Sequence, residues 1–542
     1  MEAQIQGILV DIHSRESYPA EVIIENRRIK SIERIARAEG RYILPGFIDA
    51  HVHIESSLLV PKNFSRIAVQ HGTVAIVSDP HEIANVCGVE GVDFMIENGE
   101  KSEVKFFWTA PSCVPATSFE TSGANLNPEA IDALLNNQSV VALGEMMNYP
   151  GVINGEAEVL QKIEASKRNG KPVDGHIPGI GGEELKSYVS AGITTDHECA
   201  TLEEAVEKIG LGMKILIREG SSAKNFDALI SLMETFPDEV MLCSDDLHTD
   251  DLIKGHINLL VKRALKGGFN FFDVIRAVSL NPVLHYNLPV GLLRVGDSAD
   301  FIVVDNLTDL SVAETWINGS KVFDSQFRMM KDDLKLTAHV NTFNAAPVNR
   351  KELDVEINGS NFKVITVSEG SIITGCEVFE VGNDLENTLR ENNILKLFVK
   401  DRYNNGVPSK AFVKGFGPLR GAIASTIAHD SHNIICVGDN ADDCVQAINS
   451  LVETKGGIAF VSGSVREILP LPVGGLMSDK DAQFVAEYYE KIIRLTHQHG
   501  CILKSPLMTL SFLALPVIPS LKLTDKGLFD VNKFSFTDLF VQ

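Results

Sequence analysis

Two histidines stand two positions apart at the end of an apolar segment, and they are the sharpest chemical feature of the sequence. The segment reads Phe47-Ile48-Asp49-Ala50-His51-Val52-His53. In a β-strand, side chains two positions apart lie on the same face, so His51 and His53 could hold one metal ion together. The alternative is a pair of unrelated surface histidines, and the pair by itself leaves both interpretations open.

Four further residues of metal-ligand type end short strand-like segments later in the chain. These residues are Glu145, His176, His197 and Asp245. Imidazoles and carboxylates together suit borderline divalent metals such as Zn, Mn and Fe(II). A lone histidine in such a place is more often a hydrogen-bonded structural residue, and a lone aspartate is more often a helix cap. Six such endings in chain order favour a shared metal site over that simpler interpretation.

The segments that must position these residues alternate between buried strands and helices from about residue 46 to residue 290. Apolar runs that end abruptly in polar residues lie at 73–78, 139–144 and 239–243, and helical patterns lie at 202–209 and 258–266. This alternation is typical of a parallel α/β unit, and a (β/α)8 barrel needs about 250 residues. A doubly wound open sheet would carry a glycine-rich phosphate turn after its first strand, and no such turn follows here. We therefore predict a TIM-like barrel, with its active site at the carboxyl ends of the strands.

The two flanks of this unit have a different, β-rich pattern. Short β-branched runs lie at 5–11, 20–25 and 27–32, and similar runs return at 299–305 and 312–323. We predict one composite β-sandwich domain from residues 1–45 and 291–344 around the barrel of residues 46–290.

Residues 345–542 are expected to form a separate C-terminal α+β domain. Its predicted elements are strands at 353–357, 362–367 and 433–437 and acidic helices at 440–453 and 479–495. The predicted fold class is therefore α/β, a barrel with a composite β-domain and an additional α+β domain.

Composition and charge argue against several classes of partner. The 542 residues include 49 Lys and Arg against 72 Asp and Glu, a formal net charge of -23. So acidic a chain is poorly suited to a nucleic-acid backbone or an anionic membrane, and we predict neither as a partner. The 8 cysteines form no CxxC pair, and the first residues show neither the basic start nor the apolar run of a signal peptide. We therefore expect reduced thiols and a cytoplasmic location.

The order of the candidate ligands resembles that of the amidohydrolase superfamily. That order has HxH after the first strand, a carboxylate after the fourth, histidines after the fifth and sixth, and an aspartate after the eighth. Within the superfamily, the chain is similar to the adenine deaminase family of the bacterial two-domain type. The stretches that carry this resemblance span nearly the whole chain and are Ser78-Asp79-Pro80-His81-Glu82-Ile83-Ala84-Asn85-Val86, Ala110-Pro111-Ser112-Cys113-Val114-Pro115-Ala116-Thr117, Leu143-Gly144-Glu145-Met146-Met147-Asn148, Asp174-Gly175-His176, Thr195-Asp196-His197-Glu198, Ser244-Asp245-Asp246 and His429-Asp430-Ser431-His432-Asn433.

The resemblance implies a metal-dependent hydrolase that converts adenine and water into hypoxanthine and ammonia. It implies two divalent ions per subunit, Mn2+ or Fe2+ with Zn2+ also possible, although the sequence alone permits one ion or two. Many relatives bridge the metals with a carbamylated lysine after the fourth strand, and here a carboxylate would take that place. The implied ligands are His51, His53, Glu145, His176, His197 and Asp245. The implied partners are a small purine substrate and further copies of the chain, as a homodimer or a larger homo-oligomer.

Two residues are candidates for proton transfer in this reaction. Asp245 is expected to orient the attacking hydroxide, take its proton and pass it towards the leaving ammonia. Attack at purine C6 builds negative charge at ring N1, so an acid must lie about 3 Å from N1, and Glu82 is the candidate. The segment Asp79-Pro80-His81-Glu82 could equally be a turn with an acidic residue at a helix start. His81 could contact the substrate or tune Glu82.

The segment His429-Asp430-Ser431-His432-Asn433 supplies two more candidates, His429 and His432, for contact with the substrate. A third metal site and a hydrogen-bonded turn are the alternatives for the same segment.

Two other functions compete with the deaminase interpretation. One is an amidohydrolase acting on a cyclic amide, of the dihydroorotase or hydantoinase kind. That enzyme would be expected to have a lysine after the fourth strand, where this chain has Glu145. The other is a catalytically silent purine-binding homologue, which would be expected to have lost some of the six ligand positions.

Overall fold

The computed structural model describes residues 2–38, 40–221, 223–326 and 340–542. They form two compact units. The barrel unit holds the described residues of Met1–His81, Asp93–Cys113 and Leu126–Lys335, and the C-terminal unit holds those of Glu82–Val92, Val114–Asn125 and Leu336–Gln542. Residues 327–339 of the predicted composite β-domain lie outside the described residues, and the predicted domain boundaries stay predictions.

The described part of the barrel unit contains fifteen strands. Their bounds are β1 (Glu2–Asp11), β2 (Glu16–Glu25), β3 (Arg28–Arg34), β4 (Tyr42–Pro45), β5 (Phe47–Val52), β6 (Thr73–Ser78), β7 (Lys105–Ala110), β8 (Val140–Met146), β9 (Val173–Gly175), β10 (Thr195–Asp196), β11 (Lys214–Arg218), β12 (Val240–Cys243), β13 (Phe301–Val304), β14 (Val312–Ile317) and β15 (Ser320–Asp324).

The helices up to residue 286 lie between or after these strands. Their bounds are α1 (Pro61–Ala68), α2 (His81–Cys87), α3 (Val89–Gly99), α4 (Pro128–Leu135), α5 (Tyr149–Asn154), α6 (Ala157–Arg168), α7 (Gly182–Ser190), α8 (Leu202–Gly210), α9 (Phe226–Leu229), α10 (Leu232–Thr235), α11 (Thr249–Leu252), α12 (Ile257–Lys266), α13 (Phe271–Ala277) and α14 (Leu280–Tyr286). Helix α8 shows why such segments are helical. The Thr201 side chain caps its first turn by accepting from the Glu204 N–H at 3.3 Å, and acidic residues fill that turn.

Strands β5 to β12 form a closed parallel barrel. They pair in chain order as two runs, β5 to β9 and β10 to β12. The Thr194 N–H donates to the Val173 carbonyl at 2.9 Å between the runs, and a parallel bridge joins Val52 to Asp245 where the last strand meets the first. Strands such as β6 are buried at every position, as expected when helices cover a parallel sheet. The predicted fold class is confirmed.

Strands from both flanks of the barrel form one sheet beside it. The order is β15-β14-β13-β4-β1-β2-β3. Strand β4 is the link, because it pairs parallel to β1 on one side and antiparallel to β13 on the other. Alternate residues such as Val22, Ile43 and Phe301 are buried in one hydrophobic cluster. The two ends of this unit's chain are therefore held together by a shared sheet face.

The C-terminal unit is built on a large mixed sheet. Its strands are β16 (Asn361–Thr366), β17 (Gly375–Glu380), β18 (Ile394–Lys400), β19 (Ser409–Lys414), β20 (Ala422–Ser425), β21 (Ile434–Gly438), β22 (Gly457–Ser462), β23 (Val465–Pro470), β24 (Leu521–Thr524), β25 (Gly527–Asp530), β26 (Ser535–Phe536) and β27 (Phe540–Val541). Its later helices are α15 (Leu385–Glu391), α16 (Ala441–Thr454), α17 (Ala482–Gln498) and α18 (Pro506–Ser511). The main sheet has the order β17-β16-β19-β18-β21-β20-β22-β23, with β27 beside β16, and β24 to β26 form a second small sheet.

Helix α16 packs its apolar face on this main sheet. Its buried residues Cys444, Ala447, Ile448 and Leu451 follow the spacing of one helical face. The Asn440 side chain caps the helix by accepting from the Asp443 N–H at 2.9 Å.

The predicted strand at 353–357 is wrong. A 3-10 turn at Arg350–Leu353 ends there, and the chain then continues without regular structure. Leu353 packs in the cluster that contains Phe398, whereas Val355 packs against the cluster that contains Phe362. The alternating apolar residues therefore anchor a connection to two clusters and do not pair in a sheet. In the described part of the chain, no helix combines the length and apolarity needed to cross a membrane.

Glycines precede two of the candidate ligands where neighbouring strands approach closely. A Cβ atom at Gly175 would lie 2.2 Å from the Thr195 carbonyl oxygen, and one at Gly144 would lie 2.3 Å from Oδ2 of Asp79. The neighbour of Gly175 is backbone of the next strand, which cannot move aside independently. Only glycine fits at that position without moving the strand that carries the next residue.

We predict that Gly175→Ala destabilises the protein by about 1–3 kcal/mol, the range for overpacking a buried site. Separation of β9 from β10 would also move the residue after Gly175, so bound metal should fall. Thermal unfolding and metal analysis of the purified variant measure both effects. Gly210→Ala is the matched control, because a Cβ there has no atom within 4 Å. Equal stability and metal content in the two variants would contradict the prediction.

Candidate functional site

All six predicted ligands lie at the carboxyl ends of barrel strands. They are His51 and His53 at β5, Glu145 at β8, His176 at β9, His197 at β10 and Asp245 at β12. Five are buried, and the side chain of the sixth, His176, is 27% exposed. The carboxyl ends of all strands in such a barrel meet at one rim. Residues far apart in the sequence are therefore brought into one cluster.

Glu145 lies at the centre of this cluster and contacts histidines with both oxygens. Oε1 is 3.2 Å from Nε2 of His53. Oε2 is 2.7 Å from Nδ1 of His176 and 3.1 Å from Nε2 of His197. One carboxylate thus faces two different sets of imidazoles, which is the arrangement of a bridging ligand.

A second set of ligand atoms faces Asp245. The Nε2 atoms of His51 and His53 are 3.2 Å apart. Oδ1 of Asp245 is 3.3 Å from Nε2 of His53 and 3.6 Å from Nε2 of His51. Two ring nitrogens and a carboxylate oxygen directed at one point form a donor set for a divalent cation.

Asp79 orients two members of the cluster. The Nδ1 atom of His53 is 3.0 Å from the Asp79 carbonyl oxygen, so this nitrogen carries the proton and donates it. The other ring nitrogen, Nε2, faces the cluster and binds a metal by giving up its proton, as in most metal-binding histidines. The Asp79 side chain accepts from the Glu145 N–H at 3.0 Å. The donor set and its outer hydrogen bonds therefore fit a divalent metal.

The pKa values of Glu145 and Asp245 are both lowered by their surroundings. Burial raises the pKa of Glu145, but hydrogen bonds from the surrounding histidines outweigh burial and hold that pKa well below its usual range. Burial also raises the pKa of Asp245, and the positive charge of Arg218 with hydrogen bonds from His51 and His53 holds it well below its usual range. Each carboxylate is thus in the form that can bind a cation near neutral pH.

Sequence reasoning missed two residues of the cluster, Arg218 and Glu198. Nη1 of Arg218 is 2.7 Å from Oδ2 of Asp245 and 2.5 Å from Oε1 of Glu198. Oε1 of Glu198 is 3.5 Å from Nε2 of His197 and 3.6 Å from Nδ1 of His176. Arg218 ends the seventh barrel strand, and this position at a strand end was the feature of the sequence that could have identified it. It leaves Asp245 with one oxygen facing the histidines and the other held by a cation.

A buried network behind the cluster ties the first and last strands of the barrel together. Oδ2 of Asp49 is 2.8 Å from Nε2 of His256, and Nδ1 of His256 is 2.7 Å from the Thr73 hydroxyl. The Ser244 N–H donates to Oδ1 of Asp49 at 3.0 Å, and its hydroxyl donates to Oδ2. Asp49 precedes His51 by two residues and Ser244 directly precedes a ligand. The network therefore fixes the backbone beside His51 and Asp245.

A buried ion pair between Lys208 and Asp196 supports the histidines of the fifth and sixth barrel strands. The Lys208 ammonium donates to Oδ2 of Asp196 at 2.9 Å and to the Ile177 carbonyl at 2.6 Å. The Ile177 N–H donates to Oδ1 of Asp196 at 2.9 Å. Asp196 directly precedes His197, and Ile177 directly follows His176. One lysine–aspartate pair thus holds the backbone beside both histidines.

The remaining predicted residues fall into two places. Nδ1 of His81 is 3.4 Å from Oε1 of Glu145, so His81 belongs to the barrel cluster. Glu82, His429 and His432 come together in the C-terminal unit. Oε1 of Glu82 is 2.7 Å from Nδ1 of His429, and Oε2 contacts Nε2 of His432. The two histidines predicted to contact substrate therefore contact the predicted acid.

Two families match the chain over most of its length. The Amidohydrolase family matches residues 42–322, and the Adenine deaminase C-terminal domain matches residues 371–535. The two matches together extend over parts of both units.

Individual relatives match over the whole chain. An adenine deaminase of Salinibacter ruber is 49% identical over 544 residues, which cover 99% of each chain. Adenine deaminases of Methanosarcina barkeri and Borreliella burgdorferi are 48% and 45% identical, each with 99% of both chains covered. The similarity to these relatives therefore includes the C-terminal unit as well as the barrel.

Proposed function

The chain belongs to the adenine deaminase family of the amidohydrolases, and we propose that the cluster around Glu145 is the centre at which it hydrolyses adenine to hypoxanthine and ammonia. The enzyme is a hydrolase that acts on C–N bonds. One observation carries the assignment of the site. Six ligand-type side chains from five different barrel strands converge on one rim, with Glu145 in contact with three of the histidines.

We propose two divalent ions at this centre, Mn2+ or Fe2+ with Zn2+ also possible. The support for two is that the oxygens of Glu145 face different histidine sets, which suits a bridge. The residues that would hold the ions are His51, His53, Glu145, His176, His197 and Asp245. When bound there, divalent ions would lower the pKa of water to about 7, which would make hydroxide available near neutral pH.

Asp245 is the proposed base of the reaction. Its Oδ1 faces the histidines, and its Oδ2 is held by Arg218 at 2.7 Å, so the carboxylate cannot rotate freely. Asp245 is proposed to take the proton of the attacking hydroxide and to pass it to the amino group as that group leaves.

Glu82 is the proposed acid that protonates N1 of the purine. Its support is its position directly after His81, whose ring contacts Glu145, together with its burial. His81 is proposed to contact the substrate from the barrel rim. His429 and His432 are proposed to serve substrate binding, through the carboxylate of Glu82 that both contact.

The other proposals concern partners and location. We propose that the enzyme acts as a homodimer or larger homo-oligomer in the cytoplasm, with adenine as its small-molecule partner. The alternative of a hydrolase for cyclic amides lacks support, because the chain belongs to the adenine deaminase family and has a glutamate at the end of the fourth strand. All six ligand positions are present, so a silent homologue lacks support as well.

We predict that metal-free enzyme regains ammonia release from adenine on addition of about two equivalents of Mn(II) or Fe(II). Dihydroorotate and hydantoin should not be hydrolysed by the same preparation. Titration of the metal against activity measures the stoichiometry. The Glu145→Gln variant is the control, because an amide in place of the carboxylate should not bridge two ions. Full activity at one equivalent would contradict the two-ion proposal, and no ammonia from adenine with any metal would contradict the function.

We predict that Asp245→Asn lowers kcat by at least ~10²-fold, the lower end for loss of a general acid or base. The asparagine oxygen can still face the histidines, so most of the metal should be retained. Steady-state kinetics and metal analysis of the same sample separate the two effects. Near-normal turnover would remove the proton-transfer role from Asp245.

We predict that Glu82→Gln lowers kcat more than it raises the KM for adenine. The amide keeps the shape of the side chain but cannot deliver the proton that N1 needs as charge builds there. Steady-state kinetics with adenine gives both constants. A raised KM with unchanged kcat would reduce Glu82 to a binding residue.

A further inference from the structure

Glu82 is enclosed by two histidines of the C-terminal unit. The side chains of Glu82 and His432 are 4% and 1% exposed, and that of His429 is 10% exposed. Nδ1 of His429 lies 2.7 Å from Oε1, and Nε2 of His432 contacts Oε2. The ring of His429 also stacks on Phe512 at 4.6 Å between ring centres. Each oxygen of the carboxylate therefore has its own imidazole.

The backbone decides which nitrogen of His432 carries the proton. The Ala428 N–H donates to Nδ1 of His432 at 3.3 Å, so Nδ1 is an acceptor and has no proton. A neutral imidazole must then carry its proton on Nε2, the nitrogen that faces Oε2 of Glu82. His432 is thereby the donor of the hydrogen bond to Glu82.

This arrangement is the reverse of the one at the barrel cluster. Nδ1 of His53 donates to the Asp79 carbonyl at 3.0 Å, so Nε2 is the nitrogen that is available to a metal. Nε2 of His432 is occupied by a proton, although Glu82, His429 and His432 are residue types that could together hold a cation. The hydrogen bond to Nδ1 of His432 therefore indicates that Glu82, His429 and His432 function without a bound metal.

Further hydrogen bonds hold the backbone of His432 in place. Its N–H donates to the Ala428 carbonyl at 2.7 Å, so the two residues are joined in both directions. Nη1 of the buried Arg402 donates to the His432 carbonyl at 3.2 Å. The ring is thus anchored independently of Glu82, as a residue that positions another one must be.

We propose that His432 is a positioning residue that holds Oε2 of Glu82 with its Nε2–H, so that the transferable proton resides on Oε1, on the side of His429. This inference rests on the proposed function of Glu82 as the acid of the reaction. In the step, the bond between Oε1 and its proton breaks and the N1–H bond forms. The remaining carboxylate keeps the hydrogen bond from His432. The N1 proton stays in hypoxanthine, and a solvent proton restores Glu82 after product release.

The test compares His432→Ala with His432→Gln, since glutamine can place an N–H group where Nε2 stood. We expect His432→Ala to lower kcat by about 10- to 100-fold, the effect of losing one hydrogen bond to a charged group. The KM for adenine should change far less, because the carboxylate is misplaced and not removed. His432→Gln should recover most of the lost kcat. Both variants should hold as much metal as the parent enzyme.

Several outcomes would overturn the inference. One is a fall in bound metal by a whole equivalent in His432→Ala, which would make Glu82, His429 and His432 a metal site. The second is equal loss of kcat in the alanine and glutamine variants, and the third is a KM effect alone. If Glu82→Gln lowers kcat and His432→Ala does not, the acid role stands and only the role of His432 fails. If Glu82→Gln leaves kcat unchanged, the acid role of Glu82 and the positioning role of His432 both fail.

Should His432→Ala not fold, a pair of variants that both carry Glu82→Gln decides the matter. The kcat of Glu82→Gln is compared with that of Glu82→Gln/His432→Asn, whose asparagine is too short to place an N–H group where Nε2 stood, after thermal unfolding has shown that both are folded. A residue that acts only through Glu82 adds no further loss once Glu82 has been replaced. An additional loss in the double variant would give His432 a role of its own and overturn the inference.

Discussion

The buried carboxylate of Glu145 is the constraint on which the rest of the structure depends. A carboxylate removed from water carries a penalty of several kcal/mol unless positive charge and hydrogen bonds surround it. In the described structure that compensation comes from imidazoles on three other strands, which reach Glu145 at 2.7 to 3.2 Å. Those strands can supply them together only if the barrel is closed. Assembly of the site therefore requires closure of the barrel.

Ligands at the rim of a barrel need support, because regular pairing ends where the loops begin. The pair Asp49–His256 and the pair Lys208–Asp196 supply it, each buried and each adjacent in sequence to ligand residues. Asp79 acts on His53 and Glu145 at once. These buried residues thus serve the geometry of the site, and their partners offset the cost of burial.

The sequence was informative wherever chemistry coincided with a regular element. The run 73–78 is the observed strand β6, and helix α8 begins at the predicted residue. The pairing of Arg218 with Glu198 could not be predicted, because it depends on how the barrel strands are arranged in space. The prediction of a strand at 353–357 was wrong because an alternating pattern shows only which side chains are buried. Burial in two separate clusters produces the same alternation as a strand.

The contrast between His53 and His432 shows that residue type alone does not decide whether a buried histidine binds a metal. Both are buried histidines beside a glutamate, and each could be a ligand by composition alone. At His53 a carbonyl accepts from Nδ1 and leaves Nε2 to face the metal ligands, whereas at His432 a backbone N–H donates to Nδ1 and leaves the proton on Nε2. The backbone partner of the far nitrogen therefore separates a residue suited to a metal from one suited to hold a proton donor. That partner lies four residues away in one case and 26 in the other, so no local motif in the sequence records it.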